Sequence, residues 1–485
     1  MRTPTLNRRS FLQITAAGAA ALGLSPRSRA STPASDADAR QAKNLIFMVA
    51  DGMSFGTLTL ADLMSRQRDG RPSTWVSLWN QPGVRRASAM TYSADSWVTD
   101  SAAGGSAWGC GVHINNGAVN VTPTGNQRIP LLVQARQSGK ATGLVTTTRV
   151  THATPASFIA NVTSREMERE IARQTLARSV DVVLGGGAHY FSDELIGGYK
   201  SFQVVRDRGS LLAAAKSAPS GAGSALLGLF HKEHVPFTLD RDETIPSLPD
   251  MTRAALAKLS TYPNGFVMQI EGGRVDHAAH SNDAGAIITE QLDFDAAIAE
   301  VLAFVKGRND TLVILTTDHG NANPGLTLYT SAGKKAFDRL AHVKHSFEWI
   351  EAQFAGAAKA GSLAGKLAEI VDAATGVGLD QKEREILAPM LTAHPPREMP
   401  FATANKWTSV LGALLADHFG VAFTSPNHTS DMVEVTALGP GSERLQPTIE
   451  NTDLHGLVCG ALALAEPTPL PGMDQVLAPA KAGDD

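Results

Sequence analysis

Three strand-length runs in this chain each end on a carboxylate. Asn44 to Ala50 leads into Asp51, Gly265 to Ile270 into Glu271, and Thr311 to Thr317 into Asp318, with His319 beside it. In an open parallel α/β sheet, ligands sit in the crevice beyond the carboxyl ends of the strands, so three acids placed there converge on one site. Such a cluster repels itself unless cations neutralise it. The sequence therefore asks for bound metal, and metal in this position argues for hydrolytic chemistry.

The rest of the chain supplies the alternation that such a sheet needs. Strands are expected at Leu45 to Ala50, Thr142 to Thr147, Val180 to Leu184, Val267 to Ile270 and Leu312 to Thr316. Helices are expected from about Ser101, from about Arg165, and from about Asp283 to Val305. This βαβ repetition predicts an α/β fold with a mostly parallel central sheet and helices on both faces. Between Asn321 and about Thr424 the apolar residues Phe347, Ile350, Phe354, Leu363, Leu367 and Ile370 recur at helical spacing. A helical insertion is expected there, after which the sheet resumes with Met432 to Leu438.

Composition narrows the partners. A net charge of -4 offers no basic field for a polyanion, so no nucleic acid is required as partner. At the N-terminus, Arg8 and Arg9 precede a weakly apolar run from Ile14 to Leu24 that ends near Ser28-Arg29-Ala30, a small-x-small pattern. This reads as a Tat-type signal peptide, hence a periplasmic or secreted protein with no membrane anchor. The two cysteines, Cys110 and Cys459, establish no disulfide framework, and a buried apolar role suits either. Gly185-Gly186-Gly187 lacks the Gly-Lys-Ser/Thr of a phosphate loop and reads as a tight strand exit.

Asp276 and His280 stand four apart, which on a helix puts both on one face, close to the strand-end Glu271. A carboxylate and an imidazole so placed suit Zn²⁺. Ser101 opens a helix, where partial positive charge and free N–H groups favour both an alkoxide and a bound anion. Its alternative role is the N-cap itself. Beside a dinuclear metal cluster, Ser101 reads as a metal-activated nucleophile.

Together these segments carry a family resemblance. The chain resembles alkaline phosphatases through Val49-Ala50-Asp51-Gly52-Met53, Thr99-Asp100-Ser101-Ala102-Ala103, His152-Ala153-Thr154-Pro155, Val162-Thr163-Ser164-Arg165, Glu271-Gly272-Gly273 leading to Asp276 and His280, Thr317-Asp318-His319-Gly320, and Asn427-His428-Thr429. The resemblance implies a phosphomonoesterase that acts through a phosphoserine on Ser101, with two Zn²⁺ and one Mg²⁺. It gives one zinc to Asp276, His280 and His428, the second to Asp51, Asp318 and His319, and the magnesium to Asp51, Thr154 and Glu271. Arg165 matches the phosphate-clamping arginine. His152 and His277 stand where enteric bacterial members have Asp and Lys. His152 is expected near the third metal, directly or through water, and His277 near phosphate through water.

The implied organisation is a signal at 1–30, a linker at 31–43, a catalytic core at 44–325 and 425–466, a crown-like helical insertion at 326–424 and a flexible tail at 467–485. Small phosphate monoesters are the expected substrates, and a homodimer is an expectation the resemblance admits. The alternatives are a phosphodiesterase of the same superfamily and a non-catalytic metal- or phosphate-binding protein. A sulfatase would need a C/S-x-P-x-R setting that Ser101-Ala102-Ala103-Gly104-Gly105 does not provide.

Overall fold

Asn44–Val49, with the sequence NLIFMV, is buried at every position, which requires packed layers on both of its faces. In the computed structural model this strand is near the centre of a ten-stranded sheet. The structure describes residues 41–199, 202–216, 225–329, 331–391 and 406–470. The expected signal at 1–30, residues 31–40 of the linker and residues 471–485 of the tail lie outside the described residues.

The described strands are β1 (Asn44–Val49), β2 (Arg85–Met90), β3 (Ala141–Arg149), β4 (Val182–Gly186), β5 (Phe202–Val205), β6 (Ala225–Leu229), β7 (Phe266–Glu271), β8 (Thr311–Thr316), β9 (Gly320–Asn321), β10 (Gly325–Leu326), β11 (Val421–Ala422), β12 (His428–Thr429), β13 (Val433–Leu438) and β14 (Thr448–Glu450). The sheet order is β14-β2-β13-β8-β1-β7-β3-β4-β6-β5. From β8 to β5 every pairing is parallel, and β13 runs antiparallel to both of its neighbours, β2 and β8. The expected mostly parallel sheet is therefore the one observed.

Alternation of side chains across the strands feeds two cores. Ile46 and Met48 of β1 face one, with the Ala284–Val305 helix and the Leu248–Leu259 helix, while Leu45, Phe47 and Val49 face the other, with Trp108 and Phe158. Helices thus cover both faces. Between Ser331 and Phe419 the described residues are predominantly helical, including Phe347–Lys359, Leu363–Thr375 and Trp407–Phe419.

One local boundary shifts. The helix expected from about Arg165 begins at Glu168, because the Arg165 backbone is held outside it by a bond from its N–H to Gly117 O. Gly186 belongs to β4 and Gly187 follows at φ +89°; a Cβ on Gly186 would lie 2.2 Å from Glu233 O, so the glycine run admits a loop against the strand end. Cys110 and Cys459 are free thiols, raised by burial to about 12 and about 11 respectively.

Candidate metal centre and nucleophile

Register brings the acids together. Val49 of β1 pairs with Glu271 of β7 on one side and Thr316 of β8 on the other, so Asp51, Glu271 and Asp318 leave three adjacent parallel strands at the same end. The exit of β3, next to β7, supplies His152 and Thr154. Asp276 and His280 follow on the Arg274–His280 helix, and His428 opens β12, which pairs with β9 directly after His319. Gly52 makes the close approach practicable: it stands at φ +67°, and a Cβ there would lie 2.4 Å from Asp276 Oδ1 and 2.9 Å from its Cα.

Two clusters form around His319. Its Nε2 lies 3.3 Å from Asp318 Oδ2 and 3.6 Å from Asp51 Oδ1. On the other side, His280 Nε2 is 3.3 Å from Asp276 Oδ2 and 3.0 Å from His428 Nε2, and His428 Nε2 is 3.5 Å from Asp276 Oδ1. His319 stacks on His428 with ring centres 3.6 Å apart, and Asp276, His319 and His428 also offer ligand atoms within 4.8 Å of one another. A third group joins Asp51 to Glu271 and His152. Thr154 Oγ1 donates to Asp51 Oδ2 at 3.3 Å.

Asp51 and Glu271 lack the partners that would stabilise their charge, whereas at Asp318 burial is outweighed by His319, which lowers that carboxyl. Asp51 Oδ1, Glu271 Oε1, Asp318 Oδ2 and His152 Nδ1 are buried with no hydrogen bond. Burial, then the charges of Asp318, Asp276 and Glu271, hold Asp51 well above the usual carboxylate range. Burial pushes Glu271 up to about 7 despite Thr146 Oγ1 donating to its Oε2 at 2.5 Å. Burial opposes ionisation of Asp276 too, but the adjacent His280 and His428 outweigh it and lower that carboxyl.

The imidazoles are oriented for cation binding. His280 Nδ1 donates to Pro426 O at 2.7 Å and His428 Nδ1 to Thr99 O at 2.8 Å, since a carbonyl only accepts. In their neutral forms both lone pairs then sit on Nε2 and face each other across 3.0 Å. A metal ion between them, or a proton on one of them, relieves that repulsion; against its burial, Asp276 raises His280, and Zn–N bonds of about 2.0–2.1 Å suit such a span. The donor chemistry fits metal: imidazole and carboxylate around His428, and oxygen donors around Asp51, Thr154 and Glu271.

Ser101 begins the Ser101–Cys110 helix, but the cap is Asp100, whose Oδ1 accepts from Ala103 N at 2.9 Å. The Ser101 hydroxyl is thereby left for the site, 3.3 Å from His319 Nε2. Asp100 Oδ2 also accepts from Arg165 Nη1 at 3.0 Å. Arg165 Nη2 donates to His152 Nε2 at 2.9 Å. A guanidinium cannot accept, so neutral His152 carries its proton on Nδ1, which lies 4.0 Å from Asp51 Oδ2. His277 is 5.6 Å from His152, ring centre to ring centre.

Several contributors had no sequence signal. His234, on the loop after β6, packs edge-on to His277 at 4.4 Å and lies 5.7 Å from His152. Asn321 Nδ2 donates to Asp276 Oδ1 at 2.6 Å. Neither belongs to a motif with recognisable spacing, and only the fold brings them in.

Comparison with known proteins gives a consistent result. The family model described as alkaline phosphatase matches residues 42–464. Alkaline phosphatase 4 of Bacillus subtilis is 30% identical over 430 residues, covering 87% of this chain and 89% of that protein. The repressible alkaline phosphatase of Saccharomyces cerevisiae is 33% identical over 346 residues, 64% of this chain and 61% of that protein. Among solved structures, the alkaline phosphatase of Thermus thermophilus superposes with a TM-score of 0.81 at 31% identity, covering 93% of this chain and 98% of that one.

Proposed function

Since the chain belongs to the alkaline phosphatase family, metal-dependent phosphoric monoester hydrolases, we propose that it hydrolyses small phosphate monoesters through a phosphoserine on Ser101. The observation that carries this reading is the placement of an uncapped Ser101 hydroxyl beside His319, with Arg165 held nearby by Asp100. A non-catalytic binding protein would need the ligands but not this nucleophile and clamp.

In this reading Asp276, His280 and His428 hold one zinc, Asp51, Asp318 and His319 the second, and Asp51, Thr154 and Glu271 a magnesium. His152, whose Nδ1 lies 4.0 Å from Asp51 Oδ2, would stand beside that third ion, directly or through water. When bound, the metals neutralise the carboxylates, polarise the phosphoryl group and acidify the serine hydroxyl. Arg165 forks onto two non-bridging oxygens, as a planar guanidinium does with tetrahedral oxyanions. Ser101 Oγ, its proton lost to solvent, bonds to phosphorus in line as the bond to the leaving alkoxide breaks and that alkoxide takes up a proton from solvent; the helix N-terminus favours the developing negative charge. Water then attacks phosphorus, the serine P–O bond breaks, and inorganic phosphate leaves.

The test is release of p-nitrophenol from mono- and bis-p-nitrophenyl phosphate with and without EDTA. The monoester should be preferred and its turnover should be lost on chelation; preference for the bis-ester would move the assignment to a phosphodiesterase. Among the described residues no helix is long and apolar enough to cross a membrane. From the twin arginine Arg8-Arg9 we infer Tat export. Changing both to Lys should retain precursor in the cytoplasm, and unaltered export would contradict this.

A further inference from the structure

His277 Nδ1 lies 2.7 Å from Arg274 Nη1. Because a guanidinium nitrogen only donates, Nδ1 accepts, and neutral His277 carries its proton on Nε2. Arg274 thus decides which edge of the ring is a donor.

Arg274 is itself held by a group from elsewhere in the chain. It is 3% exposed, and its guanidinium stacks over Phe237 at 3.7 Å. Its Nη2 donates to Glu348 Oε2, in the Phe347–Lys359 helix. That helix is anchored at its start: Ser346 Oγ donates to Asp240 Oδ2 at 2.5 Å, Phe347 N donates to Asp283 Oδ2 at 2.7 Å, and Ser346 Oγ caps Glu348 N. Glu348 is therefore presented from a fixed backbone. A buried arginine that lost this carboxylate would seek other partners, at the cost of its bond to His277.

We infer that Glu348 is a positioning residue for phosphate. Through Arg274 it holds His277 with Nε2–H free to donate to a phosphoryl oxygen, directly or through one water, so the helical segment takes part in substrate recognition. The inference rests on the reading of the strand-end site as phosphate-binding.

The experiment measures binding of inorganic phosphate to the full-length, metal-loaded enzyme by calorimetry, together with kcat and KM on p-nitrophenyl phosphate. Glu348→Ala should raise the phosphate Kd and KM together by about fivefold or more, with kcat reduced less and zinc content and Tm close to the parent. Glu348→Gln, which retains a carbonyl acceptor, should show a smaller rise. In a His277→Ala background, Glu348→Ala should add nothing further. A parental phosphate Kd in Glu348→Ala, or losses that add independently of His277, would overturn the inference. A parental Kd in His277→Ala alone would remove the phosphate contact on which it rests, whereas loss of all phosphate binding in the parent would refute the underlying functional reading.

Discussion

The Nε2 atoms of His280 and His428 face each other at 3.0 Å while each Nδ1 is committed to a backbone carbonyl. Two neutral imidazoles so placed repel each other, and a metal ion or a proton between them removes the repulsion. Nearby, three carboxylate oxygens of Asp51, Glu271 and Asp318 are buried without partners. Both features mark a protein whose folded state is completed by metal, and binding of metal to the folded state alone adds directly to stability. Chelation should therefore lower Tm as well as activity, and restoration of Zn²⁺ and Mg²⁺ should recover both. An unchanged Tm after verified metal removal would contradict this account of the centre.

Gly52 is a second lever on the same centre. Gly52→Ala would place a Cβ against Asp276 and force a left-handed backbone that costs about 1–2 kcal/mol by itself. Zinc content per chain and Tm should both fall. Parental values for both would show that the Asp276 approach tolerates a side chain.

Arg165 separates the monoesterase reading from its diesterase rival. It is held in place by Asp100 and His152, and in the proposed reaction it would engage a dianionic phosphoryl group. Arg165→Ala should cost monoester kcat/KM about 2–4 kcal/mol and diester kcat/KM less, because a diester carries one negative charge and an added substituent. Equal losses for both substrates would favour the diesterase.

Away from the site, Glu290 predicts a pH dependence of stability. It is 2% exposed, and burial, with the charge of Asp293, raises it from 4.5 to about 7 against the opposing bond from Thr238 N. The folded state then binds more protons than the unfolded state between those two values. Its contribution to stability is present below the unfolded value and is lost as pH rises through about 7, amounting to about 3 kcal/mol. Glu290→Gln keeps an acceptor for Thr238 N but cannot ionise, so its Tm advantage over the parent should be larger at about pH 8.5 than at about pH 5. An advantage independent of pH would contradict the assignment.

The strand-end acids and the parallel sheet were legible because each depends on a short continuous segment: a buried strand and the residue that follows it. β2 was not, since Arg85–Met90 carries two arginines and is placed by its neighbours β14 and β13, where Glu434 accepts from Arg86 Nε and Nη2 at 2.7 and 2.8 Å. β5 buries only the last of its four positions and β6 is interrupted by Gly228, so neither gives a clear apolar run. At the site, the role of Ser101 was ambiguous until the structure gave the cap to Asp100. The link from Glu348 through Arg274 to His277 spans 74 residues between its first two members, a separation that no local pattern records.

In the proposed reaction Ser101 carries the phosphoryl group. Rapid acid quenching of the enzyme during turnover of a phosphate monoester, followed by peptide mass spectrometry, tests this most directly. One phosphoryl group is expected on the peptide containing Ser101, at Ser101 itself, and Ser101→Ala should lose it together with most turnover while retaining parental zinc. Phosphate on another residue, or parental turnover in Ser101→Ala, would contradict it.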